Sequence, residues 1–152
     1  MKATLKHFGK MSFEAVADSG HRVVVSASPE VGGEGDGARP MEMVLIGLGG
    51  CSGIDVMLIL RKSRQLVASC EIELRAERAD AVPAVFTRIH AHFRIGGDDL
   101  DRRKVARAVS LSIEKYCSVA RMLEPSVAIT HGFEIVAPPH SPEAASEAAP
   151  EA

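Results

Sequence analysis

Arg39-Pro40-Met41-Glu42-Met43-Val44-Leu45-Ile46-Gly47-Leu48-Gly49-Gly50-Cys51-Ser52-Gly53-Ile54-Asp55-Val56-Met57-Leu58-Ile59-Leu60-Arg61-Lys62 is the stretch on which the fold turns. Pro40 suits the first turn of a helix, and Glu42 lies where the positive end of the helix dipole favours a carboxylate. Arg61 and Lys62 close the far end with the opposite charge. From Met43 to Leu60 the sole charged residue is Asp55. At 1.5 Å per residue, Met41 to Lys62 spans roughly 33 Å. A helix apolar on nearly every side is buried, in a protein core or in a bilayer.

Asp55, placed mid-span, is costly in hydrocarbon, and strand-like segments flank the helix on both sides, so the core is the expected environment. Gly47, Gly49, Gly50 and Gly53 then need a reason, because each costs about 1 kcal/mol against alanine inside a helix. Close approach of a second backbone would offset that cost, and so would a loosened helix at Gly49-Gly50. Cys51 follows directly after these glycines.

Outward toward the N-terminus, Phe8-Gly9-Lys10-Met11 and Asp18-Ser19-Gly20-His21 are turn signals. They separate three short strands, Ala3–Phe8, Ser12–Ala17 and His21–Ala27, which form an antiparallel meander. Ser28 to Ala38 is rich in glycine and acidic residues and lacks the Lys-Ser/Thr ending of a phosphate-binding loop. It is expected to be a mobile connector.

Toward the C-terminus, Gln65 to Glu77 alternates: Cys70, Ile72, Leu74 and Ala76 face one way, Glu71, Glu73, Arg75 and Glu77 the other. After a turn containing Pro83, Val85, Ile89, Ala91, Phe93 and Ile95 point inward, with Arg88, His90, His92 and Arg94 outward. Acidic and basic neighbours on adjacent strands pair favourably, at roughly 0.2–1 kcal/mol each. His90 and His92 share a strand face, but without a third ligand nearby in sequence they are expected to be solvated. Asp98, Asp99 and Asp101 introduce a second helix whose core stripe is Val105, Val109, Ile113 and Tyr116. This helix breaks near Cys117-Ser118, where Ser118 can cap a short further turn that ends before Pro125. Ser126 to Val136 is a last strand. The tail from residue 137 to 152 contains no core-forming residue and is expected to be disordered. Strands and helices segregate instead of alternating, which makes the class α+β, with one domain over residues 1–136.

The chain has 152 residues, a net charge of −2 and a pI near 6.3, which gives no electrostatic footprint for nucleic acid. Nor does it carry a polybasic run for an anionic membrane. Met1-Lys2-Ala3-Thr4-Leu5-Lys6-His7 lacks an apolar stretch, so no secretory signal is expected. Three cysteines cannot all pair within one chain, which fits reduced thiols in the cytoplasm. Cys70 falls on the core side of a strand and is expected to pack as a small hydrophobe. Cys51 and Cys117 lie in the later parts of two helices among small residues. No close Cys-x-x-Cys or Cys/His pair seeds a metal site, so no metal and no cofactor is expected.

Pro40-Met41-Glu42, then Leu48-Gly49-Gly50-Cys51 and Ile54-Asp55-Val56, resembles the signature around the first cysteine of the OsmC/Ohr superfamily. Tyr116-Cys117-Ser118-Val119 is similar to its second cysteine motif. The resemblance covers about residues 2 to 136, including the order of strands and helices. It implies an OsmC-like fold with antiparallel strands, a long buried central helix and a second helix, assembled as an intertwined homodimer. It further implies a thiol-dependent peroxidase acting on organic hydroperoxides. In that scheme Cys51 attacks as thiolate and becomes a sulfenic acid, Cys117 condenses with it to a disulfide, and a dithiol reductant restores both.

A thiolate near neutral pH, against an ordinary pKa of about 8.5, needs a neighbouring cation, because burial alone favours the protonated form. Arg39 is the candidate, with Arg22 as runner-up. In the better-known branches the carboxylate that orients this arginine directly follows the proline. Here that place is Met41, and the carboxylate is Glu42, one residue later. On one helix Glu42 and Cys51 fall on opposite sides, about 13 Å apart along the axis. Glu42 is therefore either a helix cap or a contributor across a dimer. The competing class is a dimeric binding protein for an apolar small molecule, without turnover.

Overall fold

A computed structural model describes residues 1–138. The expected disordered tail lies outside the described residues from position 139 onward. The architecture is α+β, and the chain divides into two compact units, Met1–Leu48 and Gly49–Ala152.

In the first unit, β1 (Ala3–Gly9), β2 (Ser12–Ala17) and β3 (Arg22–Ser26) form the expected antiparallel meander. The loop that follows is docked, contrary to its expected role as a mobile connector. The buried hydroxyls of Ser12 and Ser26 lie 2.9 Å apart, and Ser12 donates to the Asp36 carboxylate at 2.8 Å. Hydrogen bonding to the carboxylate by Ser12, and next by Ser26, holds the Asp36 carboxyl below its ordinary range. A Cβ at Gly33 would sit 1.9 Å from the Ala27 carbonyl oxygen, and one at Gly37 2.5 Å from that of Val24. The loop's glycines thus serve close backbone approach, and Ala38 bridges to Val25.

The second unit is built on the sheet β4 (Val67–Arg78), β5 (Phe86–Gly97) and β6 (Ala128–Val136). β4 and β5 pair antiparallel, with Glu71 opposite Arg94 and Glu77 opposite Arg88, the charge pairing their patterns predict. β6 pairs parallel to β5, a departure from the all-antiparallel expectation. The helical segment between them carries the chain back along the sheet, which is the connection a parallel pair requires. At the start of β5 the register shifts between Glu77 and Arg78, so Thr87 and Arg88 are both exposed. That shift puts Phe86 in the core in place of Val85, which is 51% exposed.

α1 (Pro40–Lys62) is continuous through Gly49-Gly50. By length and composition it could cross a bilayer, but Val56 and Leu60 on it are buried in the core formed with Ala91, Phe93, Ile95, Val105 and Val109. Side chains of β4 explain two glycines: a Cβ at Gly49 would come within 2.8 Å of Leu74 Cδ1, and one at Gly53 within 2.7 Å of Ile72 Cδ1. Within the chain, the approach at these two glycines is by side chains. α1 is not buried on every side of the single chain, for Ile54 is 64% exposed, and Met57 and Leu58 are exposed with it. Phe93 is the largest fully buried side chain. Phe93→Ala should therefore cost about 3–5 kcal/mol, read as a lowered midpoint in urea unfolding.

α2 (Arg102–Leu111) is capped by Asp101, whose carboxylate accepts the backbone N–H groups of Arg103 and Lys104. Its stripe of Val105, Ala108, Val109 and Ile113 is buried, but Tyr116 is 51% exposed. The difference comes from a π-helical turn over Ser112–Tyr116, closed by the Cys117 N–H donating to the Ser112 carbonyl at 2.8 Å. A wider turn holds one residue more than an α turn. It rotates Tyr116 off the stripe and brings Cys117 into the interior. α3 (Ser118–Leu123) follows, with Cys117 rather than Ser118 as its N-cap.

Candidate active site

Cys51 lies on α1, and Asp55 lies one turn further along, where residues four apart share a face. The π-helical turn delivers Cys117 to the same place. Two hydrogen bonds set that placement: Ser112 Oγ donates to the Ser52 carbonyl of α1 at 2.9 Å, and the Ser112 carbonyl accepts from Cys117. Ser52 is buried beside Cys51 in the chain, so the turn that carries one cysteine is tied to the helix that carries the other. Glu114 anchors the outer side of the turn, with His131 of β6 at 3.2 Å and Ser110 at 2.9 Å. π turns are frequent at functional positions.

The two sulfurs and a carboxylate oxygen of Asp55 lie within 4.8 Å of one another. Cys51 and Asp55 are half-buried, whereas Cys117 is fully buried. Burial pushes the Cys117 thiol up to about 11, and the hydrogen bond it shares with Cys51 adds to this. The Ala120 N–H, 3.4 Å from the Cys117 sulfur, pulls the other way without prevailing. At neutral pH Cys117 therefore keeps its proton and can donate it toward Cys51. The Oδ2 atom of Asp55 is buried and has no hydrogen-bond partner among the described residues.

From Asp55 a groove of about 800 Å³ runs outward. Leu58, Ile59, Leu111 and Tyr116 supply its apolar wall, and Lys62, Arg64, Lys104 and Arg107 give it positive charge.

Of the expected site residues, the structure brings Cys51 and Cys117 together. Arg39 and Glu42 belong to the first unit, where they are partnered: the Glu42 carboxylate accepts the Arg39 backbone N–H at 2.9 Å and lies 3.9 Å from its guanidinium. A glutamate at the third helical position reaching back to the cap residue is half of a capping box. Arg22 is paired with Glu14 in the same unit. Asp55 escaped the sequence-based assignment. Its signal was present, as the sole charge in an apolar helix, four residues after the cysteine.

His90 and His92 lie on the outer sheet face, His90 bonded to Thr130 Oγ1 at 2.8 Å and His92 3.7 Å from Glu134. They belong to no three-ligand group among the described residues; Cys51, Asp55 and Cys117 do. Cys70, opposite Ile95, packs half-buried against the core, which raises its pKa. Cys70→Ala should leave the reactivity of the other two thiols unchanged, as thiol titration of the folded variant would show.

An α+β frame that sets a helix-borne thiol against a second thiol at a helix break defines a class of two-cysteine proteins. This chain belongs to the OsmC-like protein family, whose model matches residues 33–132. It is 49% identical over 138 residues to Protein YhfA of Escherichia coli K12, covering 90% of this chain and 99% of that one. A crystal structure of a hypothetical protein from Aquifex aeolicus VF5 is 30% identical with a TM-score of 0.79, covering 89% and 95% of the two chains. The organic hydroperoxide resistance protein OhrB of Bacillus subtilis, at 19% identity, shares the fold with a TM-score of 0.60 over 88% and 96%.

Proposed function

We propose that the protein is a thiol-dependent peroxidase that reduces organic hydroperoxides with Cys51 and Cys117. The observation that carries this reading is the pairing of a half-buried Cys51 with a buried Cys117, their sulfurs within 4.8 Å of one another. The Cys51 thiolate attacks the terminal oxygen of R–O–O–H. The O–O bond breaks, leaving Cys51 as a sulfenic acid and an alkoxide that takes a proton to give the alcohol. The Cys117 sulfur then attacks the sulfenic sulfur. Its proton and the departing hydroxide leave as water, and the Cys51–Cys117 disulfide forms. A dithiol returns the two electrons by thiol–disulfide exchange.

Arg39, oriented by the Glu42 it already pairs with, is our candidate for the cation that activates Cys51, with Arg22 as the alternative. The groove's apolar wall and basic residues suit a hydroperoxide with an apolar body and an acidic head. The same groove supports the second reading, a binding protein for an apolar small molecule without turnover. Steady consumption of cumene hydroperoxide driven by a dithiol would establish the first. Binding of an alcohol analogue with no consumption would establish the second.

We further propose that the protein works as a homodimer in the cytoplasm, where its thiols stay reduced. Leu5 is 55% exposed on the first sheet, and Ile54, Met57 and Leu58 form an exposed strip on α1. Apolar faces of this kind are covered in obligate dimers, whose interfaces bury well over about 2,000 Å². Sedimentation at micromolar concentration should give a dimer, and a monomer would contradict this.

A further inference from the structure

We propose that Cys51, Asp55 and Cys117 in the reduced protein form a binding site for a soft divalent cation of the zinc class, with a fourth position left open. The proposal shares its thiols with the peroxidase reading but stands apart from it, since no peroxide enters the argument or the test. Two features carry it. The first is convergence: one carboxylate oxygen and two sulfurs from α1 and the π-helical turn lie within 4.8 Å of one another. Tetrahedral zinc, with Zn–S of about 2.3 Å and Zn–O of about 2.0–2.2 Å, sets its ligands about 3.5–3.8 Å apart. At most about 1.3 Å of closure is then needed. The second is the orphaned Asp55 Oδ2, buried without a hydrogen-bond partner among the described residues. A buried carboxylate oxygen with no donor is an unmet demand for a proton or a cation.

The chemistry of the donors selects the cation. Two thiolates favour zinc and cadmium over magnesium or calcium, which prefer oxygen cages. On binding, each thiol releases a proton to the buffer, and two S–M bonds and one O–M bond form with no change of oxidation state. Two thiolates, one carboxylate and a dication leave a net charge of −1 at the site, and the groove that reaches Asp55 is lined by Lys62, Arg64, Lys104 and Arg107. The Ala120 N–H already points at the Cys117 sulfur at 3.4 Å and would support it as a thiolate ligand. Coordination by the metal overcomes the raised pKa of this thiol, because a coordinated thiol is deprotonated outright. A bound cation would occupy both sulfurs and so shield them from electrophiles until it is removed.

The test uses the full reduced chain, stripped with a chelator and titrated with Zn²⁺ against a chromophoric competitor. A parallel titration with Cd²⁺ reads the ultraviolet thiolate-to-metal band. One cation per chain is expected, with a cadmium–thiolate band and with Cys51 protected from alkylation. Cys51→Ser and Cys117→Ser should each weaken binding about a hundredfold or more. Asp55→Asn, which keeps the side chain's shape, should weaken it about tenfold while retaining the cadmium band. Cys70→Ala and the double variant His90→Ala/His92→Ala should bind as wild type does. Absence of stoichiometric binding by the folded wild type would overturn the proposal. So would wild-type affinity in Asp55→Asn or Cys51→Ser, or loss of binding in the histidine variant. Since the assay contains no peroxide, each of these results leaves the peroxidase reading standing.

Discussion

Cys51→Ser is expected to abolish reaction with organic hydroperoxides, lowering the rate by at least about a thousandfold to that of the uncatalysed reaction. Of the two paired thiols, Cys51 is the half-buried one, and Cys117 is wholly buried. Cys51 is therefore the thiol more open to an incoming hydroperoxide, and Asp55, one helical turn from it, lines the groove. A serine hydroxyl is a far weaker nucleophile and cannot hold the sulfenic oxidation state, so no slower version of the same path remains. Residual consumption near the wild-type rate would transfer the attacking role to Cys117. Stopped-flow measurement of hydroperoxide loss over a single turnover decides this without any reductant.

Cys117→Ser should behave differently, and the contrast is diagnostic. The variant should react with one equivalent of hydroperoxide and stop at the Cys51 sulfenic acid, or take up a second equivalent and stop at the sulfinic acid. Turnover with a dithiol should fall by about a hundredfold or more, because no internal thiol traps the sulfenic acid before further oxidation. Serine suits the test because Cys117 is the N-cap of α3, its sulfur accepting from Ala120. A serine oxygen fills that role at least as well, so α3 and the π-helical turn should persist. Intact-mass measurement would show one or two added oxygens on Cys51. An unmodified variant would mean that Cys117 is needed for the first step as well.

The sequence exposes these two thiols more readily than it exposes how they meet. The apolar run from Met43 to Leu60 identifies a core helix, and the alternation from Cys70 to Glu77 identifies β4, because periodicity reports which face is buried. Positions where the backbone departs from its period are invisible to that logic. Reading Tyr116 on an unbroken 3.6-residue stripe places it inside, whereas the π turn over Ser112–Tyr116 turns it out and brings Cys117 in. The register shift at the start of β5 exchanges Val85 for Phe86 in the same way. Glycine presents the opposite difficulty. Ser28 to Ala38 has the composition of a flexible connector, yet Gly33 and Gly37 are there because Ala27 and Val24 leave no room for a Cβ. Composition alone does not distinguish freedom from close contact.

Asp55 shows the same limit within the site. A single carboxylate in an apolar helix argues against a bilayer, and its spacing from Cys51 puts the two on one face. Only the arrival of Cys117 from a separate element makes that face a cluster of two sulfurs and an oxygen. The parallel pairing of β6 with β5 belongs to the same kind of information, since strand patterns record burial but not direction.

In the proposed peroxidase Cys51 and Cys117 are one redox unit. A disulfide of about 2.05 Å requires their sulfurs to close from within 4.8 Å. The direct measurement is peptide mapping of the reduced wild-type protein after one equivalent of cumene hydroperoxide, with free thiols blocked before digestion. A Cys51–Cys117 disulfide within one chain, with Cys70 recovered as a blocked thiol, is the predicted result. Recovery of Cys51 and Cys117 as blocked thiols, or a disulfide that includes Cys70, would contradict it.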